Sequence, residues 1–492
     1  MKASRLLSLA SPLGLAALFL VGSAFADDYR DFTNTAGKSL RAKLIKVEGA
    51  QVTIQLESGQ EFTIAANTLS AADQTFIKEW KPAMAEAATL AADNGVSSEK
   101  LNEVIGNPLF ANISLWDSNP KEVAERLSWP RESETSYAES YRAYPKSDYR
   151  FFGARPYSAA LYGEEGKVSG ISLVFANKGD SFGAAGAGEE HFIKGKPVPG
   201  GIDGFRMLMA NDAELISTAL TGLFGESETQ RFGDGETRTQ VQRWDWNGHA
   251  FLLSNVEDEY VGLTIQTTEF ADKKGRTSRV PESIIRQRAK DGIEQRENGD
   301  IILSNLPMVD QGPKGYCAPA TVERCMRYLG IPADMYLLAM VGETSIGGGT
   351  NTSLLLENIG QDIKRKGRKF DSWRDELKIR TIKKYIDDGI PIMWGLFSTE
   401  EFNDIANRRS EARKELKGTE FASYAAQVKS ESETASLPKD TSRSHIVIII
   451  GYNETTNEIA FSDSWGERFT ERWISLPEAA QVSQDYFYVI DL

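Results

Sequence analysis

Gln311-Gly-Pro-Lys-Gly-Tyr-Cys317-Ala-Pro-Ala320 reads as a loop running into a helix. Pro319 fits a first helical turn, and Val322, Cys325, Met326 and Leu329 then recur at helical spacing. A thiol at a helix N-terminus meets the positive end of the macrodipole, which lowers its pKa and favours the thiolate. Gln311, set apart by two glycines and a proline, can fold back over the helix start. Its side-chain amide and the Cys317 backbone N–H would then address one developing oxyanion. A thiolate nucleophile also needs a base, and of the three histidines only His445 follows Cys317. It opens Ser444-His-Ile-Val-Ile-Ile-Ile-Gly-Tyr452, the pattern of a fully buried strand. Phe461-Ser-Asp463-Ser-Trp465-Gly466 predicts a second short strand ending in an acid. With His445 and Asp463 at the same ends of adjacent strands, one takes the proton and the other orients the ring. Taken singly, Cys317 reads more readily as a buried structural cysteine and His445 as a satisfied core histidine. The four elements in one order favour the site.

Gln-x5-Cys, a histidine at a strand start and Asp-Ser-Trp-Gly resemble the papain-like cysteine peptidases, specifically the C39-like branch, over about residues 300–492. The spacings from Cys317 to His445 and Asp463 lie close to the roughly 130–150 residues of the papain group. Two departures stand out. Lys-Gly-Tyr-Cys-Ala-Pro replaces the sequence that surrounds the papain thiol, and Asp463 stands where papain has Asn. Neither removes a functional group. The resemblance implies a papain-like α+β domain that hydrolyses peptide bonds in a peptide or protein, with no cofactor and no metal. By the same analogy Gly348 and Gly349 would bind extended substrate through their backbone. Trp465 would border the substrate and shield the His445–Asp463 contact from water. Thiol amidases and acyltransferases use the same constellation. A rival of another class is an exported binding or scaffold protein that keeps a catalytically silent papain fold.

A chain of 492 residues exceeds one core and predicts two to four domains. Residues 1–26 carry Lys2, Arg5, an apolar run from Leu6 to Val21 and Ala24-Phe-Ala26, the pattern of a cleaved secretory signal. The expectation is therefore an exported protein, periplasmic or extracellular, with no membrane span after cleavage. Lys2 and Arg5 are the only charges in those residues, so the remainder of a chain of net charge −14 carries −16. That acidity argues against nucleic acid as a partner. Cys317 and Cys325 are the only cysteines, about 12 Å apart along one helix and too far for a disulfide. A free thiol in an oxidising compartment suits a nucleophile, whereas Cys325 falls on the apolar face.

Taken in order, the multidomain expectation is as follows. Residues 27–80 alternate as four short strands and a helix opened by Leu69-Ser-Ala-Ala-Asp73, a small SH3-like β-barrel. This stretch resembles the SLA1 homology 1 (SHD1) module, which implies a peptide or cell-surface ligand. Residues 81–275 read as an α+β domain of unknown role: an alanine-rich helix from Pro82 to Asn94, strands at Val168–Phe175, Gln240–Trp246 and Tyr260–Ile265, a hairpin turn at Asn247-Gly248, and Asp212 capping a helix through Leu223. Glu189-Glu190-His191 reads as a solvated face and not as a metal site. Residues 276–299 read as a polar helix and linker. Within 300–492, Thr350 or Thr352 caps a helix from Leu354. A charged insertion at about 399–443 ends in a polar stretch, Ser430–Arg443, expected to be mobile: either a lid or cleavable plug that limits access to Cys317, or a solvated excursion with no role.

Overall fold

The computed structural model describes residues 29–79 apart from 36, 50 and 57–60, and residues 95–182, 201–344, 349–416 and 418–492. The signal segment, the Pro82–Asn94 helix, Glu189–His191 and Gly348 lie outside the described residues. The chain divides into two compact units, Met1–Ala92 and Asp93–Leu492. No helix among the described residues is long and apolar enough to cross a membrane.

In the first unit, β1 (Arg30–Thr33), β2 (Ser39–Glu48), β3 (Gln51–Leu56) and β4 (Glu61–Ala65) form an antiparallel sheet in sequence order. Phe32, Leu44, Val52 and Ile54 alternate onto one face and pack with Leu69 and Ile77 of the following segment. The expected barrel is not closed. After β4 the chain enters a 3-10 turn, makes a single bridge from Leu69 to Asn34 beside β1, and passes into a helix, Ala71–Glu79; among the described residues no strand pairs β4 with β1. Asp73 ties that helix to the sheet, accepting hydrogen bonds from the Thr33 N–H, the Ser70 hydroxyl and Arg30.

The second unit holds two eight-stranded sheets. The first contains β5 (Arg131–Glu134), β6 (Ala138–Ala143), β7 (Ser158–Glu164), β8 (Lys167–Asn177), β9 (Glu228–Phe232), β10 (Thr239–Trp246), β11 (His249–Val256) and β12 (Tyr260–Thr267). It is antiparallel in the order β5-β6-β7-β8-β12-β11-β10-β9. The β10–β11 hairpin turns at Asn247 and Gly248, both at positive φ as a two-residue turn of this hand requires. A 24-residue helix, Gly201–Phe224, packs across it through Phe205, Met209, Ile216 and Leu220. Asp212 does not start that helix but sits within it. Its buried carboxylate accepts the Ala176 N–H at 3.1 Å, and burial pushes its pKa up to about 6. A buried acid serving a strand looks the same in sequence as an N-cap. His249 is a core histidine: Nδ1–H donates to the Trp246 carbonyl, Nε2 accepts the Leu115 N–H, and burial holds its pKa down at about 4.

The last sheet runs β13 (Ile293–Gln295), β14 (Ile301–Leu303), β17 (Ser444–Asn453), β16 (Ile392–Phe397), β20 (Ser483–Asp491), β15 (Lys369–Arg374). Two more strands, β18 (Glu458–Ser462) and β19 (Arg472–Ser475), extend from β17. Strand β17 is central and buried from His445 onward, which accounts for its isoleucine run. The stretch read as a polar helix and linker holds a helix, Glu282–Asp291, which buries Ile285 and Ala289 in the same core as β17, and its β13 pairs with β14. Asn351, not Thr350 or Thr352, caps the Thr352–Arg365 helix by accepting the Leu354 N–H.

Candidate active site

The helix Cys317–Tyr328 begins at the cysteine, with Pro319 in its first turn, and packs against β17 through Ala318, Val322 and Cys325. Antiparallel pairing sets Ile448 opposite Ser462, so the chain leaving β18, Asp463-Ser-Trp465, runs back beside Val447-Ile446-His445. That register brings base and acid together: His445 Nε2–H donates to Asp463 Oδ1 at 2.6 Å. The half-buried Cys317 thiol is the ring's other hydrogen-bond partner. Trp465 stacks on the ring, centroids 4.8 Å apart.

These contacts set the charge state. Burial pushes the Cys317 thiol up, but His445 and the adjoining backbone outweigh it and bring the pKa below the ordinary thiol value. Burial alone would lower His445, yet Asp463 and Cys317 raise it to about 10. Burial likewise opposes ionisation of Asp463, and His445 with Arg472 overcomes it, holding the carboxyl below its usual range. All three shifts run toward thiolate beside imidazolium beside carboxylate. Cys325 is fully buried, and its thiol is pushed up to about 12.

Gln311 lies buried in the loop before the helix, and its backbone N–H donates to the Ser464 carbonyl at 2.9 Å. Its side-chain Nε2 donates one hydrogen to the Lys314 carbonyl at 2.9 Å, leaving the second for another acceptor. Gly349 is exposed at the entry to the Thr352–Arg365 helix, and no contact described here ties it to the thiol. A cavity of about 580 Å³ opens between the β5–β12 sheet and the far end of the Cys317–Tyr328 helix, lined by Tyr162, Phe232, Gln266, Met326, Arg327 and Lys366. Cys317, His445 and Asp463 do not line it. The described residues hold no group of His, Cys, Asp and Glu suited to a metal.

The site has a member the sequence did not reveal. Arg472 Nη1 donates to Asp463 Oδ2 at 2.7 Å, both side chains being almost fully buried. Its Nη2 donates to the side-chain oxygens of Asn403 and Asn407, each at 3.0 Å, one turn apart on the Glu400–Glu415 helix. The helix is fixed further by Arg409 on Glu478, by Arg413 on Asp300 and Glu458, and by Ser410, which accepts the Trp473 N–H. The charged insertion therefore supports the acid from behind. Its tail is also tied down: the helix Phe421–Thr434 is followed by Leu437, which is buried, and Gln481 bonds the backbone of both Ala435 and Leu437. These contacts hold the segment as far as Leu437, and residues 438–443 are exposed. No motif marks Arg472; the only signal is a charge inside a strand of otherwise buried residues.

Residues 303–489 match the model described as the Peptidase_C39 like family. The matched stretch holds Cys317, His445 and Asp463. Among solved structures, the chain is similar to the peptidase domain of Streptococcus ComA, a bi-functional ABC transporter involved in a quorum sensing pathway. The two are 13% identical, with 37% of this chain and 96% of that one covered and a TM-score of 0.24. It is similar also to xylellain, a cysteine protease from Xylella fastidiosa, at 13% identity, covering 44% of this chain and 90% of that one, TM-score 0.27. No curated protein matches the chain.

Proposed function

We propose that this chain is a papain-like cysteine peptidase that hydrolyses peptide bonds through Cys317, His445 and Asp463. The observation that carries the reading is the single imidazole shared between a thiol and a buried carboxylate. The Cys317 thiolate attacks the scissile carbonyl carbon, and the C=O π pair moves onto oxygen. The second Gln311 Nε2–H and the Cys317 backbone N–H hold that oxyanion. The imidazolium gives its proton to the leaving nitrogen as the C–N bond breaks, leaving a thioester. His445 then takes a proton from water, the hydroxide adds to the thioester, and the thiolate leaves. Asp463 keeps the ring in plane and charged, and Trp465 keeps water from that hydrogen bond. Gly349 and its neighbour Gly348 are placed here as backbone contacts for extended substrate. The enzyme works after export, a reading that rests on the Lys2–Ala26 pattern and the acidity of the rest. The SHD1-like sheet would bring it to a peptide or surface ligand.

A peptidyl epoxide and a quenched-fluorescent peptide library test the reading together. The full chain should cleave library members, and the epoxide should abolish cleavage while attaching to Cys317 and sparing Cys325. A folded chain that cleaves nothing and takes up no epoxide is the silent scaffold instead. Release of acylated amines in place of free acids would make it an acyltransferase.

A further inference from the structure

The loop that joins Gln311 to Cys317 is held from outside the segment that matches the peptidase family. At its approach, the Ser133 hydroxyl accepts the Met308 N–H at 2.9 Å, and the buried Glu132 carboxylate accepts the Asp310 N–H at 2.8 Å. The Tyr144 hydroxyl donates to the Asp310 carbonyl. Its ring covers Gly312, where a Cβ would come within 2.8 Å of it, and Gly312 holds φ +65°. At the other end, Gly179 packs so closely on the Tyr316 ring that a Cβ there would lie 2.4 Å from it. Between these two grips sits Lys314, its side chain wholly buried. Nζ donates to the Gln311 carbonyl at 3.1 Å and pairs with Asp180 at 3.3 Å, while the Lys314 carbonyl accepts the Gln311 side-chain amide. Asp180 is fixed in turn by Asn177 at the end of β8.

Burying an ammonium is costly unless it is paired. Here the pairing runs through the one residue that touches Gln311 at both its backbone and its side chain. We infer that Asp180 and Tyr144, in the segment that carries the β5–β12 sheet, are positioning residues for the reaction, setting the Gln311 amide through Lys314 and Gly312. That segment then builds part of the oxyanion site and is not an independent passenger. The inference rests on the peptidase reading above. It predicts that residues 303–489, which carry Cys317, His445 and Asp463, do not set the site unaided.

The test uses the full chain with two substitutions, Asp180→Asn and Tyr144→Phe. Displacing an oxyanion donor by a fraction of its bond length costs chemistry more than binding, so kcat should fall about 10–100-fold in Asp180→Asn with KM within about twofold. Tyr144→Phe keeps the ring on Gly312 and should lose about three- to tenfold in kcat by the same argument. Iodoacetamide develops no oxyanion, so its rate at Cys317 should stay within about twofold of wild type in both variants. A loss of fold would instead expose Cys325 to the reagent, and Tyr144→Phe then decides alone. Wild-type turnover accompanied by unchanged kcat in the folded variants overturns this inference and leaves the peptidase reading standing. Equal losses of kcat and alkylation rate overturn it as well, because the effect then lies on the thiol. A wild type without turnover removes the parent reading and this one with it.

Discussion

Asp463→Asn separates the two jobs of that carboxylate. The amide oxygen can still accept the His445 N–H, so the ring keeps its orientation. The negative charge is gone, and its loss falls on Arg472, whose side chain is only 2% exposed. What remains around that guanidinium is neutral: Asn403 O at 3.3 Å, Asn403 Oδ1 and Asn407 Oδ1 at 3.0 Å. Removing one partner of a buried ion pair costs about 3–5 kcal/mol, whereas replacing both with apolar groups is often close to neutral. Asp463→Asn should therefore lower unfolding stability by ~3–5 kcal/mol at neutral pH, and Arg472→Met added to it should recover at least half of that loss. The sign with pH follows from the two shifts. The Asp463 carboxyl is held low, so its contribution is present above about pH 3.9, the unfolded value, and fades as pH falls through the lower folded value. His445 is raised to about 10, so its contribution is complete below an unfolded value near 6.5 and is lost as pH rises through about 10. Urea unfolding of both proteins from acid to alkaline pH should show curves that converge in acid, with the alkaline decline of the variant beginning earlier. A difference below about 1 kcal/mol at neutral pH, or parallel curves on both limbs, would refute the account of Arg472.

Cys317→Ala should abolish turnover with an unchanged unfolding midpoint, whereas Cys325→Ser should cost about 1–3 kcal/mol for a buried hydroxyl, both read by urea titration and peptide cleavage. Retained activity in Cys317→Ala would end the mechanism. Iodoacetamide should alkylate Cys317 below the ordinary thiol pKa of about 8.5, and a rate that rises only through that value would mean no imidazolium sits beside it. Trp465→Ala opens the His445–Asp463 contact to water and should lower kcat several-fold while moving the alkaline limb of the pH–rate profile down. Limited proteolysis should spare Phe421–Leu437, and nicking residues 438–443 should leave Cys317 alkylation unchanged; faster alkylation would restore the lid.

What was legible in the sequence was local or ordered along the chain. The helix start at Cys317, the buried strand from His445, the acid after β18 and the Asn247-Gly248 turn each announce themselves within a few residues. The parts that were not legible pair charges far apart. Arg472 meets Asn403 and Asn407 across an intervening helix and two strands, and Lys314 meets Asp180 from another sheet, with neither contact leaving a period or a motif. Asp212 misled for a related reason, since a short acid favours helix starts but here serves the end of β8. The Ser430–Arg443 stretch looked loose by composition because the Gln481 side chain holds it by its backbone, and backbone contacts have no signature in residue types. The barrel failed at β4, where the Leu69-Ser-Ala-Ala-Asp73 signal turns the chain into a helix fastened to β1 instead of a closing strand.

The burial of Cys325 gives the protein an internal clock and an internal standard. The chain has two thiols on one helix, one facing a base and the other sealed in the core with its pKa pushed up to about 12. A small electrophile therefore counts competent sites through the first thiol and unfolding events through the second, in the same tube and the same mass spectrum. The ratio of the two labels at each time point separates a molecule that has lost its chemistry from one that has lost its fold.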